Sequence, residues 1–558
     1  MGEISYKHSK TEILHRVAEF CSQTSLHGWQ YIQSENGVIR KLVWISLIIG
    51  HYVLAGYLIW ENYTEYSTST ILTTIHSTTS SLDDIKFPSV YACNLNQVTK
   101  SFLYEIGIEE INGFEQQLLL KEFKWGSDSD QELNAHDLDS VNRMIQNMIE
   151  VYGYNHSQDH LSFYAGQECW NMFLKAKWSN YSYEYFYVSY YDYTDYGSCC
   201  FISPYIDFVN PWLEWHEIPS GYASNGLQNG LMITMDLEHF DHAVPWDSMG
   251  FKIGLSDPLD KIIMRNTGFN VQPGALTEVA IIPTIMNTTE AAIDKFDPKV
   301  RNCYTPDEVQ LEYFPPLSYS MQNCLYEAVF QKVLEKCHCI SHVKYDLVKK
   351  KNPELSICKG SKQLSCEKSF LNNLGDDKLG MNYILDENGN EQQCLQKCEV
   401  QQDNKVLSQL LYPHVQTFHH HDDFCLILEK MAMICNITSK RAVFEKYYQG
   451  QMDCNELEVF RQRNNESCIG NLLKKPLVQH EDNPKFIQFL HNYASENVAK
   501  IAVYLRDPYY TSITKDVKIS FIDFVSNIGG QMGLCLGFSF FTIFELVYHL
   551  MKCIFGMK

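Results

Sequence analysis

Near the carboxyl end, Gly529, Gly533 and Gly537 repeat every four residues, so on a helix they line one smooth face. Asp523, Ser526, Asn527, Gly530, Gln531 and Ser539 stand among them, with Glu545 and His549 just beyond. Polar and ionisable groups in so apolar a stretch are costly, and they usually face a water-filled path rather than lipid. Glycine frees backbone carbonyls where a helix breaks, and rings of carbonyls or hydroxyls replace part of an ion's hydration shell. Repeated about an axis, Asp523 and Glu545 set carboxylate rings at two mouths. The chemistry such a segment offers is passage of a small cation. The same spacing also suits a Gly-x-x-x-Gly helix anchor, and Glu545 a plain end to a span.

Two elements must position these residues. Leu42 to Trp60 carries no formal charge over 19 residues, and Phe524 to Phe544 is a second apolar run. About 20 apolar residues in a helix cross a hydrocarbon core. A cleaved leader is disfavoured by the long polar segment before the first run and by the lack of a small-residue cleavage site after it. Arg40 and Lys41 precede that run while Glu61 and Glu65 follow, which places the amino terminus in the cytoplasm, and two spans return the carboxyl terminus to the same side. The expected organisation is a cytoplasmic segment 1–41, a span at 42–60, an extracellular domain at 61–520, a pore-lining span at 521–551 and a short tail at 552–558. Both termini are then cytoplasmic in a multi-pass plasma-membrane protein.

The composition fits. The 558-residue chain is 45% hydrophobic, ordinary for protein that folds in water outside its two spans. Of its 19 cysteines only Cys21, Cys535 and Cys553 lie outside 61–520. The dense, even remainder predicts up to eight disulfides in an oxidising compartment. Cys337-His338-Cys339 and Cys394-x3-Cys398 are poor zinc spacings. Sequons fall at Asn62, Asn155, Asn180, Asn287, Asn436 and Asn465, the first too near the membrane for modification. A net charge of −22 argues against nucleic acid as a partner and suits either an acidic cation vestibule or plain solubility.

Short alternating runs at Phe87–Cys93, Leu231–Leu237, Phe251–Leu255 and Thr277–Ile282 predict strands. Residues 11–26, 112–150, 320–336 and 399–495 read as helical. The architecture expected is two membrane helices carrying a large, disulfide-rich α+β domain. His419-His420-His421-Asp422-Asp423 has the types to sense protons or bind zinc or copper, or is a solvated loop. The tyrosine-rich stretch Tyr181–Tyr196 reads as a ligand surface or a half-buried strand face. Lys349-Lys350-Lys351 reads as a solvated helix end or an ion-pairing run. No nucleophile elbow, zinc-protease helix or phosphate loop is present, so neither an enzyme nor a cofactor is expected.

The residues Gly529-Gly530-Gln531-Met532-Gly533-Leu534 followed by Gly537-Phe538-Ser539 resemble the pore segment of the degenerin, epithelial sodium and acid-sensing channel family. The resemblance extends to His27-Gly28, Phe87-Pro88-Ser89-Val90 with Cys93-Asn94, Gly268–Gly274, Tyr319-Ser320-x3-Cys324 and Cys337-x-Cys339. Finer features resemble the arthropod pickpocket branch: Gly197-Ser198-Cys199-Cys200, Arg301-Asn302-Cys303-Tyr304 with Glu308, and Cys394-x2-Lys397-Cys398. It implies a trimeric channel, homomeric or heteromeric, with palm, β-ball, finger, thumb and knuckle regions, passing Na+ under an extracellular stimulus. It implies Gly537, Phe538 and Ser539 as selectivity filter, and Ser526 as gate and amiloride-blocker position, with Gly529, Gly530 and Gly533 beside it. Asp523 and Glu545 become mouth charges, and His27 and Gly28 cytoplasmic gating elements. On residues alone His27-Gly28 also reads as a helix stop. Disulfide candidates are Cys93, Cys199, Cys200, Cys303, Cys324, Cys337, Cys339, Cys358, Cys366, Cys394 and Cys398. Three departures stand out: Phe538 where the family has a small residue, Asn527 for a common aspartate, and Ala328 for an expected cysteine. A two-span receptor that binds ligand without conducting is the competing class, and a membrane-anchored ectoenzyme a third.

Overall fold

The first apolar run lies inside a longer helix, α1 (Val38–Thr68). Its 31 residues span about 46 Å at 1.5 Å each, more than a hydrocarbon core requires. Val38, Ile39, Val53 and Tyr57 are more than half exposed on it, a surface that fits lipid better than water. The computed structural model describes residues 18–32, 37–105, 165–178, 181–183, 189–203, 225–243, 248–257, 260–313, 319–340, parts of 354–373, 382–385, 391–414, 422–469 and 484–555.

After α1 come β1 (Ile71–Ser81), β2 (Ser89–Asn94), β3 (Phe173–Trp178), β4 (Tyr181–Tyr183), β5 (Ser189–Thr194) and β6 (Gly197–Ile202). Next are β7 (Leu231–Asp236), β8 (Phe251–Ser256), β9 (Phe269–Val271) and the long β10 (Ala275–Thr288), followed by the short helix α2 (Glu290–Lys295) and β11 (Cys303–Tyr304). Helix α3 (Met321–Lys332) leads to β12 (Tyr383–Leu385), β13 (Glu391–Gln393), β14 (Gln396–Lys397) and β15 (Glu399–Leu411). Four helices follow: α4 (Asp422–Asn436), α5 (Thr438–Tyr447), α6 (Cys454–Ile469) and α7 (Pro484–Asn497). Strands β16 (Val498–Leu505) and β17 (Tyr509–Val517) precede the last two helices, α8 (Phe521–Leu536) and α9 (Phe540–Phe555).

The chain divides into two compact units. One comprises Met1–Thr74, Thr288–Arg301 and Thr514–Lys558; the other comprises Ile75–Asn287 and Asn302–Ile513. In the second, an eight-stranded sheet runs β1-β17-β10-β16-β7-β3-β4 with β15 also paired to β10, and a five-stranded sheet runs β5-β6-β2-β8-β9. Period-2 sequence explains the packing: Ala275, Thr277, Val279 and Ile281 are buried in β10 while Leu276, Glu278 and Ile282 are half-exposed. Val90, Ile202 and Ile253 of the smaller sheet share one apolar core with Phe173, Ile233, Val279 and Ile501 of the larger. A second core gathers Tyr326, Val329 and Phe330 of α3, and a third gathers Phe424, Met431, Phe444, Leu457 and Tyr493 of α4 to α7.

Cysteines staple these cores. Cys93 pairs with Cys199 and Cys169 with Cys200 at the smaller sheet. Cys303 pairs with Cys398, Cys324 with Cys394, Cys337 with Cys366 and Cys339 with Cys358 around α3. Cys435 pairs with Cys454 between α4 and α6, and Cys425 is also disulfide-bonded. Ala328, in the place of the expected cysteine, is buried in α3.

One expectation is corrected. Residues 399–411, read above as helical, form strand β15, antiparallel to β10 over thirteen residue pairs. Its polar composition suits an edge strand with an exposed face, and the partner strand overrides local propensity. Residues 422–469 and 484–497 are helical as expected apart from short connections. Helix α3 covers most of 320–336 and widens into a π-turn at Val333–Cys337.

Candidate functional site

The second apolar run is broken. Helix α8 starts on a capping box in which the Ser520 side chain accepts from Asp523 N while Asp523 accepts from Ser520 N and Oγ at 3.2 and 2.6 Å. It ends at Gly537, whose φ of 68° is left-handed. Gly537 N donates to Gly533 O at 2.9 Å and Phe538 N to Met532 O at 3.3 Å, so two end carbonyls keep partners. After Phe538 and Ser539 the chain resumes as α9, bent 66° from α8. Ser539 N donates to Thr542 Oγ1 at 3.0 Å and Thr542 N returns to Ser539 O at 3.0 Å, which starts the new helix. The residues that the family resemblance marks as filter, Gly537, Phe538 and Ser539, stand at the break. Among the described residues α1 alone is a single helix long and apolar enough to cross a membrane, and α8 with α9 meets that test as one bent span.

The amino-terminal segment packs on this break. His27 N donates to Leu536 O at 2.9 Å, satisfying a third end carbonyl. The His27 ring is so close that a Cβ built on Gly537 would lie 2.5 Å from its Cδ2 and 2.9 Å from Ser25 O. Gly28, with φ of 83°, lets the loop turn against α1, where Ile48 and Trp44 are its neighbours. Glu545 accepts from Ser25 N at 3.0 Å, Ser25 Oγ at 3.2 Å and Thr24 Oγ1 at 3.2 Å. Ser25 Oγ also lies 2.9 Å from the buried Thr542 Oγ1. Lys552 pairs with Glu19 at 2.7 Å, and Phe20 meets His549 edge to face at 5.3 Å.

Other expected residues take varied places. Ser526, Gly529 and Gly530 lie on the open face of α8, and nothing stands within 4 Å of a Cβ built on either glycine. Gly533 faces only Phe538 O, at 3.7 Å. Phe538 turns toward α1, joining Leu58 against the cluster of Ala55, Cys535 and Leu536. That places the bulk of the departing residue against the first helix. Asn62 is buried inside α1, its amide reaching Phe524 O at 3.4 Å. Asn287 and Asn436 are exposed, and Asn465 lies in α6. Asn155, Asn180, His419, His420, His421, residues 112–150 and 349–351 lie outside the described residues. No group of three or more possible metal ligands occurs among the described residues. In the tyrosine stretch, Tyr191 Oη accepts from Cys169 N at 3.0 Å.

Thr24, Ser25 and Thr542 were not singled out by sequence. Their one signal is position: two hydroxyls separated from His27-Gly28 by Leu26 alone, and a threonine three residues past Ser539.

The second unit encloses charges of its own. Glu238 pairs with Lys430 at 2.7 Å and Lys440 at 2.6 Å, all three almost wholly buried. Burial pushes the Glu238 carboxyl up, but the two ammonium groups outweigh it and hold it at about 2. Asp241 accepts from Ser101 N and Oγ at 2.7 and 2.6 Å, and there burial wins, raising its carboxyl to about 6. Burial raises Asp236 to about 6 as well, although Tyr493 donates to it.

A bent apolar span docked on an amino-terminal loop, carried with a disulfide-rich α+β unit, defines a class of membrane channel proteins. The sequence profile of the amiloride-sensitive sodium channels matches residues 20–549, and the chain belongs to that family. By that membership it is a cation-channel subunit and not an enzyme. It is 20% identical over 577 residues to Pickpocket protein 28 of Drosophila melanogaster, covering 97% of this chain and 79% of the relative. It is 21% identical over 556 residues to human Acid-sensing ion channel 2, covering 96% and 86%. Over a shorter stretch of 90 residues it is 29% identical to the Bile acid-sensitive ion channel of Mus musculus, 16% of this chain and 18% of that one.

Proposed function

We propose that three such subunits, identical or related, surround an aqueous path in the plasma membrane and pass Na+ down its gradient. Helix α1 and the α8–α9 pair are the two spans, both termini are cytoplasmic, and the disulfide-rich unit is extracellular and receives the stimulus. The observation that carries this reading is the break at Gly537–Ser539, with a 66° bend inside an otherwise apolar segment. Irregular backbone at membrane depth survives where protein buries it or water lines it. Gly537, Phe538 and Ser539 form the filter. Ser526, Gly529, Gly530 and Gly533 line the gate and blocker region above it, and Asp523 marks the outer mouth. Glu545 lies below the filter and clamps the His27-Gly28 loop through Ser25 and Thr24. The names of two relatives supply acid and bile acids as first stimuli to apply.

The test is current in cells expressing the full chain, alone and with related subunits. The expected result is an amiloride-sensitive inward current that vanishes when external Na+ is replaced, and that Ser526→Phe prolongs. A chain that reaches the surface and conducts nothing in any combination, with Ser526→Phe silent, refutes the reading in favour of a non-conducting receptor.

A further inference from the structure

Phe538 stands in the middle of the proposed filter and carries a ring at a place where bulk would obstruct an ion. Its carbonyl and its ring go to different sides of α8. The carbonyl oxygen lies 3.7 Å from the position a Cβ would take on Gly533. Gly533 shares a face of α8 with Ser526 and Gly530, and nothing stands within 4 Å of a Cβ built on Gly530. The ring packs instead with Leu58 of α1 against Ala55, Cys535 and Leu536. At 3.6 residues per turn, Cys535 stands roughly 140–180° around the helix from Ser526, Gly530 and Gly533. The Phe538 N–H bond to Met532 O, beyond the left-handed turn at Gly537, holds residue 538 against the end of α8. The seat for the ring is made by small side chains: Ala55 is 2% exposed, and Cys535 is 6% exposed and carries a free thiol. Protein interiors are close-packed, so a ring fits between two helices only where the facing side chains are small.

We infer, on the channel reading above, that Phe538 gives the ion path its carbonyl and keeps its ring out of it, with Cys535 and Ala55 as the positioning residues that make the room. Carbonyl oxygens replace part of the water around a small cation, and any residue supplies one whatever its side chain. A filter with phenylalanine at its centre then passes the same class of ion, a small monovalent cation, as one with a small residue there. The ring also wedges α1 against the end of α8 beside the break. A larger side chain at 535 or 55 overpacks the seat and turns the ring out of it, toward the path.

The experiment has two arms on the full-length chain. In the first, the detergent-purified protein is treated with a small maleimide, and labelling of Cys535 is read by peptide mapping. Phe538→Ala uncovers the thiol and is expected to raise its rate severalfold, while Phe538→Leu keeps apolar bulk in the seat and is expected to stay near wild type. No change at Cys535 in Phe538→Ala, or an equal rise at Cys21 or in Phe538→Leu, overturns the seat whether or not the protein conducts. In the second arm, single-channel Na+ conductance and the Na+/K+ permeability ratio are recorded. Phe538→Ala is expected to hold that ratio within about twofold of wild type, because the carbonyl stays. Cys535→Phe and Ala55→Phe each fill the seat and are expected to lower conductance severalfold, and adding Phe538→Ala to either is expected to restore it. A ratio that collapses in Phe538→Ala, single variants that conduct as wild type does, or no restoration in either double variant overturns the inference. A wild type that reaches the surface and stays silent counts against the channel reading, and the labelling arm still decides the seat.

Discussion

Replacing Gly537 by alanine tests the docking of the amino-terminal loop on the break. The backbone there is left-handed, with φ of 68°, which costs a residue with a Cβ roughly 1–2 kcal/mol. The new carbon lands 2.5 Å from His27 Cδ2, 2.8 Å from its Nε2 and 2.9 Å from Ser25 O. The imidazole can rotate away, but the Ser25 carbonyl is backbone and its neighbouring N–H is bound to Glu545. Overpacking of this kind costs about 1–3 kcal/mol. Together these oppose docking by about 2–5 kcal/mol. The loop is held by His27 N–H on Leu536 O and by three hydrogen bonds to the half-buried Glu545, a set worth a few kcal/mol after solvent is allowed for. The substitution is therefore large enough to release the loop. Cys21 reports it without further mutation, because it is 8% exposed in the same segment. Thiol labelling of purified protein, resolved by peptide mapping, is expected to be at least tenfold faster at Cys21 in Gly537→Ala than in wild type. Equal rates would show that the contact with His27 does not hold the segment.

Two further outcomes follow from the second unit. Burial holds Asp241 at about 6, above its ordinary 3.8, so the native state binds the extra proton between those values. Stability is therefore full below about pH 4 and falls as pH rises through 6, by at most about 3 kcal/mol from this group. Asp241→Asn, whose carbonyl can still accept from Ser101, is expected to flatten that part of the thermal-unfolding profile between pH 4 and 7; an identical slope would contradict it. Loss of Cys303–Cys398 by paired serine substitution is expected to cost about 3–4 kcal/mol, less than its separation of 95 suggests. The reason is that Cys324–Cys394 lies inside that loop and shortens the effective closure to roughly 25 residues. Surface delivery and protease resistance of the double variant measure it.

What could be read from the sequence was local and periodic. Alternation marked β7, β8 and β10, whose alternate apolar residues Leu231, Ile233, Met235, Phe251, Ile253, Val279 and Ile281 are buried, and charge-free length marked α1. Spacing picked out Gly537 because it continues the four-residue repeat of Gly529 and Gly533, and its left-handed backbone shows only in the fold. Long-range features were hidden. β15 looked helical because its polar residues carry no strand signal until β10 lies beside them. Cysteine count predicted staples but not that Cys169 would pair with Cys200. Phe538 stood out in the sequence as a departure from the family's small residue, and only the packing of Leu58 and Ala55 shows where its ring goes. The clamp on Glu545 needed a contact across more than 500 residues of sequence.

That clamp changes how the break is to be understood. A helix interrupted at membrane depth leaves carbonyls that cost several kcal/mol each if unpaired in hydrocarbon. The chain satisfies Gly533 O and Met532 O from its own next residues, but Leu536 O takes its partner from His27. Glu545, one turn into α9 past the Ser539–Thr542 cap, takes its donors from Ser25 and Thr24. The bend and the docked amino terminus thus satisfy each other's polar groups, and neither is complete alone. A perturbation that lifts the loop must straighten the break, expose it to water or leave it unpaired. The His27-Gly28 segment is for that reason part of the structure of the proposed filter, and an effect of its mutation on conduction requires no separate gating element.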